Sequence, residues 1–185
     1  KASGQRMADI VGNMLSFVRK GEDVGSSQRL DELMDKTLVL AATDFDLKKK
    51  YDFKRIETVK HYAADLPAVT CEAAKIQQVL LNILRNGAQA MQAAGTYAPR
   101  ITVTIRYDKV RQMVYLEIED NGPGMDEATR KKVFDPFFTT KIQGLGTGLG
   151  LSVSYFIITE NHNGEMSVES QPGAGAKFII RLPVI

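Results

Sequence analysis

The chain has 185 residues, 44% hydrophobic and 25% charged, with a net charge of +2. That composition is globular, and the length allows one full core with an appendage. The small net charge argues against nucleic acid or an anionic membrane as partner; no apolar run reaches the about 18 residues of a membrane span; and the single Cys71 excludes an internal disulfide framework. The chain opens on Lys1 without a Met, and is expected to be a piece of a longer protein.

Met7, Ile10, Val11, Met14, Leu15 and Val18 form one apolar helical stripe, which calls for a helical partner in this protein or in a second copy. Residues 21–27, with two glycines and two serines, read as a linker. A helix is predicted from a cap near Ser27 through Leu33, Leu38 and Leu40 to about Ala42. Lys48, Lys49, Lys50, Lys54 and Arg55 read as a solvated basic face. Strands are predicted over 53–63 and 68–71, with Cys71 packing as a small hydrophobe. A long helix over 72–94 stops at Gly95, and strands follow over 101–107 and 113–119. A short helix over 126–133, a loop over 135–148 and a helix over 149–160 come next; residues 161–164 break that helix. A hairpin of 165–170 and 176–182, turned by Gln171-Pro172-Gly173, ends the chain. This order implies an α+β fold: a two-layer sandwich of a mixed, mostly antiparallel sheet with helices on one face.

Four groups of residues in this frame carry chemistry. On the long helix, Gln78, Asn82, Arg85, Asn86 and Gln89 fall within about 100° of one another, opposite Ile76, Val79, Leu80, Ile83, Leu84, Ala88 and Met91. Asn is a poor helix-interior residue. The pair Asn82 and Asn86 is either an ordinary polar face or amide oxygen presented to a hard cation such as Mg2+ on phosphates. At the end of the strand over 113–119 stands Asp120-Asn121-Gly122-Pro123-Gly124-Met125. This is turn chemistry, or a carboxylate set to accept a hydrogen bond from a flat ligand such as adenine. Phe134-Asp135-Pro136-Phe137-Phe138-Thr139-Thr140-Lys141 follows. Its rings are core or the anchor of a loop, and Lys141 is a point charge for phosphate. Then comes Gly144-Leu145-Gly146-Thr147-Gly148-Leu149-Gly150-Leu151, whose bare backbone before a helix suits phosphate oxygens.

In order and spacing, these four groups resemble the N, G1, F and G2 boxes of the histidine-kinase branch of the GHKL ATPases, over roughly Leu30 to the end. The ending G-x-M-x-V-E-S-x-P-G-A-G-A-K-F-I-I-R-L-P also resembles that family's terminal hairpin. Arg6 to Lys20 resembles the second helix of its dimerisation and histidine-phosphotransfer domain. The resemblance implies a division into 1–27, the end of that helix with its linker, and 28–185, a catalytic ATP-binding domain. It implies ATP and Mg2+ as ligands, with Asn86 on the metal, Asn82 in support and Asp120 on the adenine amino group. Gly122 and Gly124 would let the base approach beside Met125. Phe134, Phe137 and Phe138 would pin a lid. Arg85, Gln89, Phe138, Thr139, Thr140 and Lys141 would border the nucleotide, with Asn82, Asn86 and Lys141 taking part in transfer. Gly144, Leu145, Gly146, Thr147, Gly148, Leu149, Gly150 and Leu151 would close over the phosphates.

Departures from the family pattern bear on mechanism. Many members carry Lys and Tyr three and four residues after the metal-binding Asn; here Gln89 and Ala90 stand there, and Lys141 or Arg85 is left to supply the charge. Ala176 replaces a frequent Thr or Ser. Only His61 and His162 are present, neither in the H-[DE]-x-x-[NTP] context of an acceptor helix. The hydrolytic branches place a Glu one turn before the metal-binding Asn, where Asn82 stands here; a neutral amide is no general base. The resemblance therefore implies a two-component sensor histidine kinase domain that transfers the ATP γ-phosphoryl group to a histidine on a dimerisation domain outside this chain. The alternatives are a GHKL-type ATPase and a non-catalytic nucleotide-binding module. The expected partners are that dimerisation domain, a second copy in the full-length protein and a response regulator receiver domain. No nucleic acid or membrane contact is expected of this fragment, and its location is expected to be cytoplasmic, with the full-length protein anchored in a membrane or not. Neither the dinucleotide fingerprint G-x-G-x-x-G nor the P-loop pattern fits the glycine run.

Overall fold

The computed structural model describes residues 25–43, 53–141 and 147–184. Its centre is a five-stranded sheet in the order β2 (Glu57–Tyr62), β4 (Arg100–Asp108), β5 (Met113–Asp120), β7 (Ala176–Pro183) and β6 (Glu165–Ser170). β2 runs parallel to β4 and every other neighbour is antiparallel. The two-residue side-chain period decides which face is buried. Ile101, Val103 and Ile105 of β4, Val114, Leu116 and Ile118 of β5, and Phe178, Ile180 and Leu182 of β7 share one face, each 5% exposed or less. Asp120 is the next residue in that phase, so the sheet's own alternation turns its carboxylate toward the helices. On the other face Tyr115 lies beneath two guanidiniums, Arg106 at 3.8 Å and Arg181 at 5.2 Å from the ring centre.

The helices α1 (Leu30–Thr43), α2 (Ala73–Ala93) and α4 (Gly150–Phe156) cover the apolar face and share its core. The short α3 (Glu127–Lys132) is capped by Asp126, whose side chain accepts from the Thr129 N–H at 2.7 Å. α2 is the longest element. Its Ile76, Val79, Leu80, Ile83, Leu84, Ala88 and Met91 are buried at helical spacing. α1 is tied to the sheet edge by Asp35, which accepts from Lys60 Nζ and Tyr62 Oη, both at 3.0 Å. Burial of Tyr62, with Asp35 beside it, pushes the phenol above its usual range. Cys71 is buried as expected, and burial pushes its thiol up to about 11.

Several elements differ from the expectation. Ser26–Gln28, inside the expected linker, forms a strand, β1, that pairs antiparallel with β3 (Val69–Cys71). Three residues including two serines leave no periodic signal; tertiary pairing alone makes this strand. α1 begins at Leu30 rather than near Ser27, with Arg29 bonded to Asp31 through Nε at 3.0 Å and Nη2 at 2.7 Å. Phe53–Arg55 is a 3-10 turn, not strand, because it turns Phe53 into the core at 5% exposure. The helix expected over 149–160 ends in a π turn over Ile157–Asn161. His162 closes it: Nδ1–H donates to the Ile157 carbonyl at 2.7 Å, and Nε2 accepts from the Glu72 N–H at 3.0 Å, where α2 begins without a side-chain cap. The stripe Met7 to Val18, the lysines 48–50 and Gly144, Leu145 and Gly146 lie outside the described residues. No described helix is long and apolar enough to cross a membrane.

Candidate functional site

One edge of α2 carries Asn82, Arg85, Asn86 and Gln89, all half-buried. Asn82 Nδ2 donates to the Gly150 carbonyl and to Ser154 Oγ, both at 3.2 Å, and Ser154 Oγ itself donates to the Gly150 carbonyl at 2.9 Å. Asn82 thus fastens the first turn of α4 to α2. One turn further along, Lys141 Nζ donates to Asn86 Oδ1 at 2.9 Å and to Gln89 Oε1 at 2.5 Å. Arg85 Nε is buried with no hydrogen-bond partner among the described residues. Two amide oxygens already converge on a cation here, and an orphaned guanidinium nitrogen lies on the same helix edge. Oxygen donors of this kind fit a hard divalent ion carried on phosphates, and the guanidinium fits the phosphates themselves.

The second part of the site is Asp120, 7% exposed. Its Oδ1 accepts from the Gly122 N–H at 2.9 Å. Burial raises its carboxyl above the ordinary 3.8, and the N–H groups of Gly122 and Ala176 pull the other way. Bare glycines flank it. A Cβ on Gly122 would sit 2.7 Å from Oδ1, and one on Gly87 would sit 3.2 Å from Oδ2. Gly87 is interior to α2, where glycine costs about 1 kcal/mol against alanine. It lets the helix pass close to the carboxylate. The sequence reading did not single it out; a glycine within a strong helical pattern was the available signal.

The loop after β5 is held by backbone contacts. Asn121 continues the β4–β5 hairpin, accepting from the Arg100 N–H at 2.7 Å and donating to the Ala98 carbonyl at 3.0 Å. Gly124 is required by the backbone itself. At φ +68°, its absent Cβ would lie 2.0 Å from the Gln171 carbonyl oxygen, so the residue is needed where the loop meets the terminal hairpin. Met125 packs against the core, and its N–H donates to Ser170 Oγ at 2.8 Å.

Of the three phenylalanines expected as an anchor, Phe134 stacks near Tyr155 at 5.1 Å and Phe178 at 6.3 Å. Phe137 is instead 59% exposed with φ 65°, so its ring is not seated in the core of the described residues. Its backbone is the part in close contact: a Cβ on Gly148 would lie 2.4 Å from the Phe137 carbonyl carbon. Phe138 is half-buried, Thr140 is exposed, and Thr139 Oγ1 accepts from the Lys141 N–H at 3.1 Å. Thr147 Oγ1 accepts from the Leu149 N–H at 3.3 Å. Leu149 is 7% exposed and Leu151 packs on the core, so their side chains seat α4 instead of bordering a ligand. A Cβ on Gly150 would make ordinary contact with Asn82 at 3.7 Å, so packing does not demand that glycine. A separate cleft of about 560 Å³ between α3 and the β6–β7 hairpin has Met125 in its lining, but not Asn82, Asn86 or Asp120. His61 is exposed on β2, and both ring nitrogens of His162 are engaged.

Residues 71–185 match the family described as histidine kinase-, DNA gyrase B-, and HSP90-like ATPase. The signal transduction histidine-protein kinase AtoS of Escherichia coli (strain K12) is 38% identical over 175 residues, 95% of this chain and 26% of that protein. Sporulation kinase E of Bacillus subtilis (strain 168) is 33% identical over 180 residues, 97% of this chain and 22% of that protein. The chain thus spans about a quarter of the length of these curated relatives. The nucleotide-free catalytic domain of histidine kinase ThkA superposes with a TM-score of 0.69 at 28% identity, covering 86% of this chain and 95% of that chain. ThkA in complex with the response regulator protein TrrA gives 0.72 at 26% identity, covering 99% of this chain and 48% of that chain.

Proposed function

Because the chain belongs to the histidine kinase-, DNA gyrase B-, and HSP90-like ATPase family, as the ATP-binding catalytic domain of a sensor histidine kinase, we propose that it holds ATP with Mg2+ and passes the γ-phosphoryl group to a histidine on a separate dimerisation domain. One observation carries this reading: a single edge of α2 brings Asn86 Oδ1 to a cation and, one residue on, lays Gly87 against the Asp120 carboxylate. In this assignment Asp120 accepts a hydrogen bond from the adenine amino group, and Gly87 and Gly122 leave the base its room. Asn86 offers its amide oxygen to the metal, and Lys141 and Arg85 balance phosphate charge. Asn82 is a positioning residue that holds α4. Bound Mg2+ would supply neutralisation of the phosphate charge. Phosphoryl transfer depends mainly on such positioning and electrostatics. Asn82 has no basic function, and its Nδ2 is committed to α4, which favours transfer to a histidine over activation of water.

The same proposal assigns residues 1–27 to the end of the dimerisation helix and its linker, with Ser26 and Ser27 already paired to β3. It includes a homodimer of the full-length protein in the cytoplasm and a response regulator receiver domain as the next acceptor. The test is radiolabelled ATP with a histidine-bearing dimerisation domain supplied separately. Acid-labile label is expected on the supplied domain and none on this chain alone. Label on His61 or His162 would overturn the assignment.

A further inference from the structure

Lys141 reaches back over 55 residues to Asn86 and over 52 to Gln89. We propose that its ammonium is a tethered stand-in for the metal. Without nucleotide it holds the amide oxygens of Asn86 and Gln89 together; it yields Asn86 Oδ1 when the magnesium nucleotide enters, and turns to the phosphates. This rests on the reading of Asn86 as the metal's ligand.

Three observations support the exchange. Asn86 and Gln89 stand at i and i+3, so both amides leave α2 on the same side. Both atoms facing the ammonium are amide oxygens, the donor type a hard cation takes. Finally, the α2 edge made of Gln78, Asn82, Arg85, Asn86 and Gln89 contains no acidic residue, and Arg85 Nε is unpartnered there among the described residues. Lys141 and Arg85 therefore bring positive charge to an edge with no carboxylate of its own, which suits a polyphosphate. A lysine suits the exchange better than an arginine, because its compact point charge does not depend on a planar two-point fit.

The stand-in has a measurable consequence. Lys141 supplies a cation to the nucleotide when Mg2+ is absent, and competes with Mg2+ for Asn86 when it is present. Removing Lys141 must therefore hurt metal-free binding more than metal-assisted binding. The probe is ADP, titrated calorimetrically into the chain once with a chelator and once with excess Mg2+. Lys141→Met is expected to weaken ADP about 10-fold or more in chelator but less than about 3-fold in Mg2+. Lys141→Arg should recover most of the metal-free affinity. Equal weakening in both conditions would make Lys141 an ordinary phosphate contact, and no weakening in either would remove it from the site; each overturns this proposal and leaves the nucleotide assignment standing. Failure of the unsubstituted chain to bind ADP in either condition would overturn both. Thermal melts of the variants report whether the fold persists.

Discussion

The Asp120 corner and the Asn86 edge meet along α2, yet they are held by different means. At the corner, the carboxylate position follows from strand alternation and is fixed by the Gly122 N–H, with glycine on two sides. At the edge, long side chains from distant segments meet: Lys141 on Asn86 and Gln89, and Asn82 on Gly150 and Ser154. Backbone and missing side chains make a shape that persists without ligand. Side-chain hydrogen bonds can be exchanged for ligand bonds at little net cost, since each is worth only about 0.5–3 kcal/mol overall, the larger values where one partner is charged, and the ligand returns a similar bond. In the proposed assignment the corner therefore selects the base and the edge rearranges around charge.

Substitutions separate the two. Asn86→Ala should have the largest effect, lowering phosphotransfer to a supplied dimerisation domain by about 100-fold or more, with little change in melting temperature. Radiolabel transfer beside a thermal melt reads both; retained transfer would remove Asn86 from the metal. Asp120→Asn should weaken ADP about 10- to 100-fold by calorimetry, the worth of a hydrogen bond to a buried charge. It should not destabilise the domain at neutral pH. Burial holds the Asp120 carboxyl above 3.8, so the folded chain binds that proton more tightly than the unfolded chain. The penalty for burying the charge is present at neutral pH and is relieved as the pH falls through the raised value to below 3.8. Asn carries no such penalty, so Asp120→Asn should melt at or above the parent temperature at pH 7, with the difference closing toward about pH 3. A lower melting temperature at pH 7 would mean the carboxylate is structural.

His162→Ala lies outside both parts of the site. It leaves the Glu72 N–H and the Ile157 carbonyl unpartnered and should cost about 1–3 kcal/mol of stability by denaturant melts, with ADP affinity nearly unchanged once folded. The smallest effect belongs to Gly87→Ala. Better helix propensity offsets the contact at 3.2 Å from Asp120 Oδ2, so stability should shift by less than about 1 kcal/mol. ADP should still weaken several-fold, because the new methyl group crowds the carboxylate; unchanged affinity would place the base elsewhere.

What the sequence disclosed follows the same division. The alternation of Val114, Leu116 and Ile118 and the helical stripe from Ile76 to Met91 are short-range patterns, and both β5 and α2 form where those patterns put them. The places of Asp120 at the end of β5 and of Asn82 and Asn86 on one edge of α2 were legible because each sits at a set place in such a pattern. β1 was not, because its pairing with β3 spans more than forty residues and its sequence has no strand signal of its own. The steric need for glycine at positions 87 and 124 is not legible for a related reason. A glycine's need is set by the atom opposite, and Asp120 and Gln171 are opposite only in the fold. The same holds for His162, whose partners are the first turn of one helix and the last of another. Lys141 is expected from the sequence as a point charge for phosphate, but its hydrogen bonds to Asn86 and Gln89 required the structure.

The most direct measurement compares ADP with GDP on the unsubstituted chain in the presence of Mg2+, by calorimetry. Adenine offers an amino hydrogen where guanine has a carbonyl oxygen, and a buried carboxylate accepts the first and repels the second. ADP should bind at least about 10-fold more tightly than GDP, and Asp120→Asn should narrow that gap. GDP bound as tightly as ADP would contradict Asp120 as the group that reads the base.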